Sequence, residues 1–434
     1  MANVIWIKNG HVIDPASRRD GIGDVFVADG VIVEKLFDDQ KKNVRVIDAS
    51  GLVVCPGFVD LHARLCQPGS TARETIQSGS HAAAAGGYTT VVCMPDTKPP
   101  ADTVGTVQLI KEIADRTAIV RILPTGTITV GHLGEKLAPI GSLKQAGVIA
   151  VTDGIGGVQN NEIMRRALEY SSMFGLVILD HCQDSSMTQG AMMHEGVWSI
   201  RLGLRGFPRA AEEVVVASDI ILAHLTGARL HLQHITSGNS VELIRRAKQQ
   251  GIAVTAEVSA NHLLLTDAAL HDYNTNLKLA APLREEEDRM ELIKGLLDGT
   301  IDAIVTDHSP VTPTEKDCEF DYAPFGAIGL ETALSVSLEA LYHSKSVPLA
   351  QVVEKLTISP ARVLELEAGT LAPKRPADIT IFDPNEAWVP KADSFFSRSS
   401  NSPYLGRTLR GKVRTTLVGG KVVYENGRIV DESC

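Results

Sequence analysis

Apolar and polar positions alternate through the first fifty residues, with turn residues between the runs. Val25-Phe26-Val27-Ala28, Asp29-Gly30 and Val31-Ile32-Val33 predict a β-hairpin, because Asp-Gly accepts the backbone angles of a two-residue turn. The last seventy residues carry the same signature. Ile379-Thr380-Ile381-Phe382 reads as a strand, and Arg414 to Val418, Gly419-Gly420, Lys421 to Tyr424, Asn426-Gly427 and Arg428-Ile429-Val430 read as a meander. Two β-rich ends around a different centre predict one small β-sandwich domain, formed jointly by residues 1–54 and 366–434.

In the centre, short β-branched runs recur, each followed by a stretch of helical period, as βα units require. Eight such runs are present: Val53–His62, Thr90–Met94, Ile119–Thr125, Val148–Asp153, Leu176–His181, Leu230–Ile235, Ile252–Val258 and Ala303–His308. Gly238–Gln250 and Glu285–Leu297 have the spacing of amphipathic helices. The count predicts an α/β fold, a (β/α)8 barrel of the TIM type over residues 55–365.

Composition narrows the function classes. With 44% hydrophobic and 22% charged residues, the 434-residue chain has ordinary globular content and enough apolar mass for a large core. A net charge of −10 argues against a nucleic-acid partner, which needs a basic face. No apolar run approaches membrane-spanning length, and Met1-Ala2-Asn3-Val4 does not begin a basic-then-apolar leader, so a cytoplasmic protein without a membrane partner is expected. Six cysteines, at 55, 66, 93, 182, 318 and 434, form no CxxC pair and read as fillers in a reducing compartment.

Groups at the C-terminal ends of barrel strands converge on one mouth. Five of the eight runs carry a potential metal ligand there: His62, Asp153, His181, His234 and Asp307. One histidine at a strand end is more often a hydrogen-bonded structural residue, but five such endings on one face point to a metal centre. Imidazole and carboxylate suit Zn²⁺ and leave a position open for water. His81, His231 and His262 are read as structural, and His231 is expected to face away from His234, three residues on in the same strand. His11, His132, His194, His224, His271 and His343 are read as surface or loop residues.

Pro56-Gly57-Phe58-Val59-Asp60-Leu61-His62 resembles the first-strand signature of the amidohydrolase superfamily. Ala82 through Pro95, Val254-Thr255-Ala256-Glu257-Val258 with His262-Leu263-Leu264-Leu265-Thr266, Asp302 through Pro310, Ala323-Pro324-Phe325-Gly326 and Gly329-Leu330-Glu331-Thr332 are similar to bacterial dihydroorotases. The resemblance spans nearly the whole chain. It implies reversible cyclisation of N-carbamoyl-aspartate to dihydroorotate in pyrimidine synthesis, on one or two zinc ions held by His62, Asp153, His181, His234 and Asp307. It further implies a metal-bound water of lowered pKa, with Asp307 as general base and then acid. Asp153 stands where related hydantoinases carry a carbamylated, metal-bridging lysine, and an aspartate there is typical of one dihydroorotase class.

The chain also departs from that pattern. The family's His-x-His-Leu-Arg-x-Pro-Gly reads His62-Ala63-Arg64-Leu65-Cys66-Gln67-Pro68-Gly69. Arg64 thus replaces a metal-binding histidine and offers no lone pair, while Cys66 replaces an arginine that grips the substrate carboxylate. Asp96, Ala280 and Val311 replace two asparagines and a histidine of the substrate site, and Thr152 replaces only the neighbour of the ligand Asp153. Arg64, Asp96, Phe325 and Gly326 are the candidate substrate-binding residues, with Cys66 weighed as a soft substitute ligand and Phe325-Gly326 equally as a buried turn. By its spacing from His62, Arg64 is expected to point inward and pair with Asp153 or Asp307.

Three readings stay open. Arg64 moves into the place of the lost carboxylate clamp and leaves a weak, one-metal dihydroorotase; the substrate is another cyclic amide; or the chain is a silent relative that supports a partner, aspartate carbamoyltransferase. A homo-oligomer is expected in each case.

Overall fold

The computed structural model describes residues 4–37, 44–344 and 347–430. Strand Val4–Asp14 pairs antiparallel with Arg19–Ala28, which turns back into Val31–Val33 with Ala28 opposite Val31. Asp29 and Gly30 at that turn have φ of 50° and 82°. Positive φ at both central residues gives the turn a twist that matches the strands it joins. Gly419-Gly420, at 54° and 77°, repeats the device between Leu409–Val418 and Lys421–Glu425, and Asn426-Gly427 repeats it before Arg428–Ile429.

Both ends of the chain meet in one nine-stranded sheet. Strand Val53–Pro56 is the junction, parallel to Val4–Asp14 with His11 opposite Val53, and antiparallel to Ile379–Trp388 with Ile379 opposite Pro56. Hydrogen bonds run through all nine strands of this small β domain. Ile5, Ile7, Val25, Val54, Ile379 and Leu417 form its own buried apolar cluster.

Run Val53–His62 is therefore not one strand. It divides at Gly57, whose amide donates to Asp378 O at 2.9 Å and where a Cβ would overlap the Thr89 side chain. Beyond it the barrel begins. Its parallel strands are Phe58–Ala63, Tyr88–Cys93, Arg121–Pro124, Ala150–Val151, Val177–His181, Leu230–Gln233, Val254–Ser259 and Ala303–Val305, each beside the next in sequence. Bridges between Gly126 and Val151 and between Ala63 and His308 join the two parts of this wall into a ring. Helices Gly238–Gln249 and Glu286–Asp298 fill the two segments with amphipathic spacing, the first capped by Ser237.

Candidate active site

In strand Val177–His181, alternate residues Val177, Leu179 and His181 share a face, so a buried apolar wall ends in an imidazole at the mouth. The neighbouring strand behaves differently. His231 and Gln233 share one face, and period two would send His234 to the other side. His234 instead follows the strand with φ of 50° and turns its ring back into the barrel. Asp307, two residues beyond its own strand, has φ of 49°. Each non-glycine residue in this conformation costs about 1–2 kcal/mol. Both positions thus hold strain where side chains must converge.

Four predicted residues meet at short range. Oδ1 of Asp307 lies 4.0 Å from Nε2 of His62 and 3.6 Å from Nε2 of His234. Nδ1 of His234 lies 3.3 Å from Nδ1 of His181. Burial pushes the imidazole pKa of His62 and His234 well down, helped at His62 by Arg64 and at His234 by His62. Burial also lowers His181 to about 4 and raises Asp307 to about 7.

Asp153 is turned elsewhere. Its Oδ1 accepts from the amides of Ile128 and Thr129 at 2.8 and 2.9 Å, and its Oδ2 accepts from the Thr129 hydroxyl. Its neighbouring imidazole is His132, with Nδ1 at 3.7 Å, so His132, read from sequence as a loop residue, lies inside a carboxylate contact.

Arg64 points inward as expected. Its Nε donates to Asp96 Oδ2 at 2.6 Å, its Nη1 donates to Ser309 Oγ at 2.5 Å, and Nη1 stands 3.6 Å from Asp307 Oδ1. Asp307 is thus one of the two carboxylates predicted for it, and Asp96 takes the place of Asp153. Burial alone would lower the guanidinium pKa, but Asp96 and Asp307 more than offset it. Nη2 is buried without a partner.

The four candidate substrate residues, Arg64, Asp96, Phe325 and Gly326, line one cavity of about 480 Å³ with Cys66 and Ser309. Gly326 has φ of 126°, and a Cβ there would sit 2.6 Å from Ser309 O, so the wall closes only over glycine. Asn401, from the C-terminal segment, pins that wall by donating to Ser309 O and Gly326 O. The Cys66 thiol, pushed up to about 12 by burial and directed at Arg64 O, stays protonated and is a poor ligand.

Sequence reasoning missed Glu257 and Gln233, and placed His231 wrongly. Glu257 Oε2 accepts from His231 Nε2 at 3.0 Å, while its Oε1 lies 3.5 Å from His234 Nε2. His231 and His234 therefore reach the same carboxylate, because His234 leaves the regular strand. Burial pushes the Glu257 pKa well up. The available signal was a lone glutamate within the apolar and β-branched strand Val254–Ser259.

A pair of metal ions bridged by Asp153 does not fit this donor set. Asp153 faces the 128–129 backbone, both His181 nitrogens have side-chain partners, and the Arg64 cation stands at the mouth. Buried, unpartnered His62 Nε2, His234 Nε2 and Glu257 Oε1 do fit one ion.

A closed barrel with imidazoles and a carboxylate at its mouth, joined to a sheet from both termini, defines the metal-dependent amidohydrolase class. Family matches agree, with "Dihydro-orotase-like" over residues 51–240 and "Amidohydrolase family" over residues 305–424. The chain is 45% identical over 416 residues to a dihydroorotase of Solibacter usitatus, covering 96% of this chain and 97% of the relative. It is 46% identical over 422 residues to that of Pelotomaculum thermopropionicum, covering 97% and 99%. Among solved structures, the L-hydantoinase (dihydropyrimidinase) of Arthrobacter aurescens superposes with a TM-score of 0.86 at 25% identity, covering 99% of this chain and 97% of that one. The chain belongs to the dihydroorotase family.

Proposed function

We propose that the protein is a weakened dihydroorotase, interconverting N-carbamoyl-aspartate and dihydroorotate with at most one zinc ion. The observation that carries this reading is the pair Arg64 and Asp307: Arg64 lines the 480 Å³ cavity with its Nη2 free, and its Nη1 stands 3.6 Å from the buried Asp307 carboxyl, raised to about 7. A bound metal ion would polarise the amide carbonyl and activate water. Asp307 takes the proton of the attacking water as the hydroxyl bonds to the ring carbonyl carbon, then returns it to the nitrogen as the C–N bond breaks. Arg64 Nη2 donates to the substrate carboxylate, in place of the arginine that Cys66 has replaced. Asp96 holds the guanidinium by Nε, which leaves this one donor free.

The usual arginine offers a carboxylate two parallel donors where Arg64 offers one, so with the histidine replaced by Val311 two charge-assisted hydrogen bonds are lost, each worth about 1.5–3 kcal/mol. Catalytic efficiency should lie roughly 10²–10⁴ below an intact family member. The test is dihydroorotate hydrolysis and carbamoyl-aspartate cyclisation by the zinc-loaded chain. Slow turnover that Asp307→Asn abolishes supports the reading; turnover no greater than that variant's overturns it.

The orientation of Asp153 favours a second reading, since a carboxylate committed to a backbone loop serves the scaffold rather than chemistry. On that reading the chain is silent and supports aspartate carbamoyltransferase. Stable co-purification of the two proteins, with no turnover by this chain, would distinguish it.

A further inference from the structure

We propose that the chain holds a single divalent cation on His62, His234, Glu257 and Asp307, with Glu257 rather than Asp153 completing the ligand set and His181 orienting a ligand. The inference rests on reading the barrel mouth as a metal-dependent hydrolase site, and adds which atoms hold the ion.

His62 Nε2, His234 Nε2 and Glu257 Oε1 are each buried without a hydrogen-bond partner, and they belong to a group whose ligand atoms lie within 4.8 Å of one another. Leaving one buried polar atom unpaired costs about 1–3 kcal/mol. Three that face each other are accounted for together by one cation. Asp307 Oδ1, at 3.6 Å from His234 Nε2 and 4.0 Å from His62 Nε2, supplies a fourth oxygen or nitrogen donor of the kind zinc takes.

Hydrogen bonds behind these atoms set their lone pairs. The Thr188 hydroxyl donates to Asp184 O, so its oxygen accepts from Gln183 Nε2 at 2.9 Å. Gln183 Oε1 must then accept from His181 Nε2, at 3.3 Å, which leaves His181 Nδ1 to accept from His234 Nδ1. His234 consequently carries its proton on Nδ1 and presents the Nε2 lone pair. Both nitrogens of His181 are used, so it orients His234 instead of binding metal. Glu257 is held in the same way, with Oε2 on His231 Nε2 and His231 Nδ1 on the Thr255 hydroxyl at 2.8 Å. Gln233 Nε2 stands 2.9 Å from His62 Nδ1, and the amide oxygen lies 3.4 Å from the Thr152 hydroxyl, so binding the ion on His62 Nε2 requires this amide to turn over. A ligand His62 needs its proton on Nδ1, so this amide presents its oxygen there when Nε2 binds the ion.

Charge selects one ion. Asp96, Asp307 and Glu257 as carboxylates, less the Arg64 guanidinium, leave two negative charges, which one divalent cation neutralises. A second ion beside Arg64 would leave net positive charge in a buried site.

The test is zinc content and position in the full-length protein. Chelator-treated protein reloaded with zinc should hold one equivalent per chain by elemental analysis. A crystal measured at the zinc edge should show one anomalous peak, about 2 Å from His62 Nε2 and His234 Nε2, with Glu257 and Asp307 as its carboxylates. Glu257→Gln should weaken zinc binding at least about tenfold, while Asp153→Asn keeps it. Two ions, an ion bonded to Asp153 or His181, or no bound zinc would each overturn the proposal, and the wild-type map does not depend on any variant folding. Position is read without turnover. Zinc in the proposed place with no activity defeats only the functional reading; activity with zinc elsewhere defeats only this one.

Discussion

Nε of Arg64 lies 2.6 Å from Oδ2 of Asp96, across a cavity wall that both residues line. Asp96 is one of the family departures legible in sequence, where it replaces an asparagine. Beside Arg64 it steadies a cation that would otherwise be desolvated at a cost of several kcal/mol. The two departures are coupled.

Replacing Arg64 by His removes a positive charge beside the proposed metal ligands and supplies an imidazole. Arg64→His is expected to raise zinc affinity about tenfold, on the scale of one near charge–charge interaction in a partly polar site. Turnover should stay low while Cys66 and Val311 remain. Competitive titration with a chromogenic chelator measures the change, and unaltered affinity would show that Arg64 does not oppose the ion.

Asp153→Ala strips an acceptor from two backbone amides, Ile128 and Thr129, that are buried with it. Each unpaired N–H costs about 1–3 kcal/mol, so the urea midpoint should drop clearly, with Asp153→Asn affected less because it keeps one oxygen. A full-strength midpoint for the alanine variant would contradict the structural role assigned to this carboxylate.

Glu331 gives a pH dependence. It is half-buried, and its carboxyl, raised from 4.5 to about 8 chiefly by desolvation, accepts from the amides of Phe396 and Ser397. Below pH 4.5 both folded and unfolded states are protonated, and the group leaves stability unchanged. Between there and about 8 the unfolded state ionises first, the native state binds more protons, and stability falls as pH rises. Glu331→Gln should flatten that loss, read as the difference in urea midpoints at about pH 5 and about pH 8.5. Parallel pH curves for the two proteins would refute it.

Gly329 packs against the barrel strand that leads to Asp307. A Cβ at this position would overlap Thr306 O, and the Gly329 amide donates to His308 Nδ1 at 3.2 Å. Gly329→Ala is expected to cost about 1–3 kcal/mol of stability and to reduce zinc retention through Asp307. A variant as stable as wild type would mean that Thr306 moves aside freely.

The sequence by itself determined the barrel and the family, because turn chemistry, period-two strands and helical spacing are local properties. Asp29-Gly30 specifies its hairpin through its own φ angles, and the motif Pro56 to His62 identifies the superfamily without any contact being known. Tertiary structure decided which atoms face one another. His234 breaks the strand period through a left-handed backbone and so meets Glu257 beside His231, an outcome that alternation alone reads the other way. Asp153 sits at a strand end like the other candidates, yet its oxygens accept from two amides and a hydroxyl of a loop 24 and 25 residues earlier. Such pairings depend on how strands far apart in sequence are staggered around the ring, and that register is set by packing of the whole barrel rather than by any short run of residues.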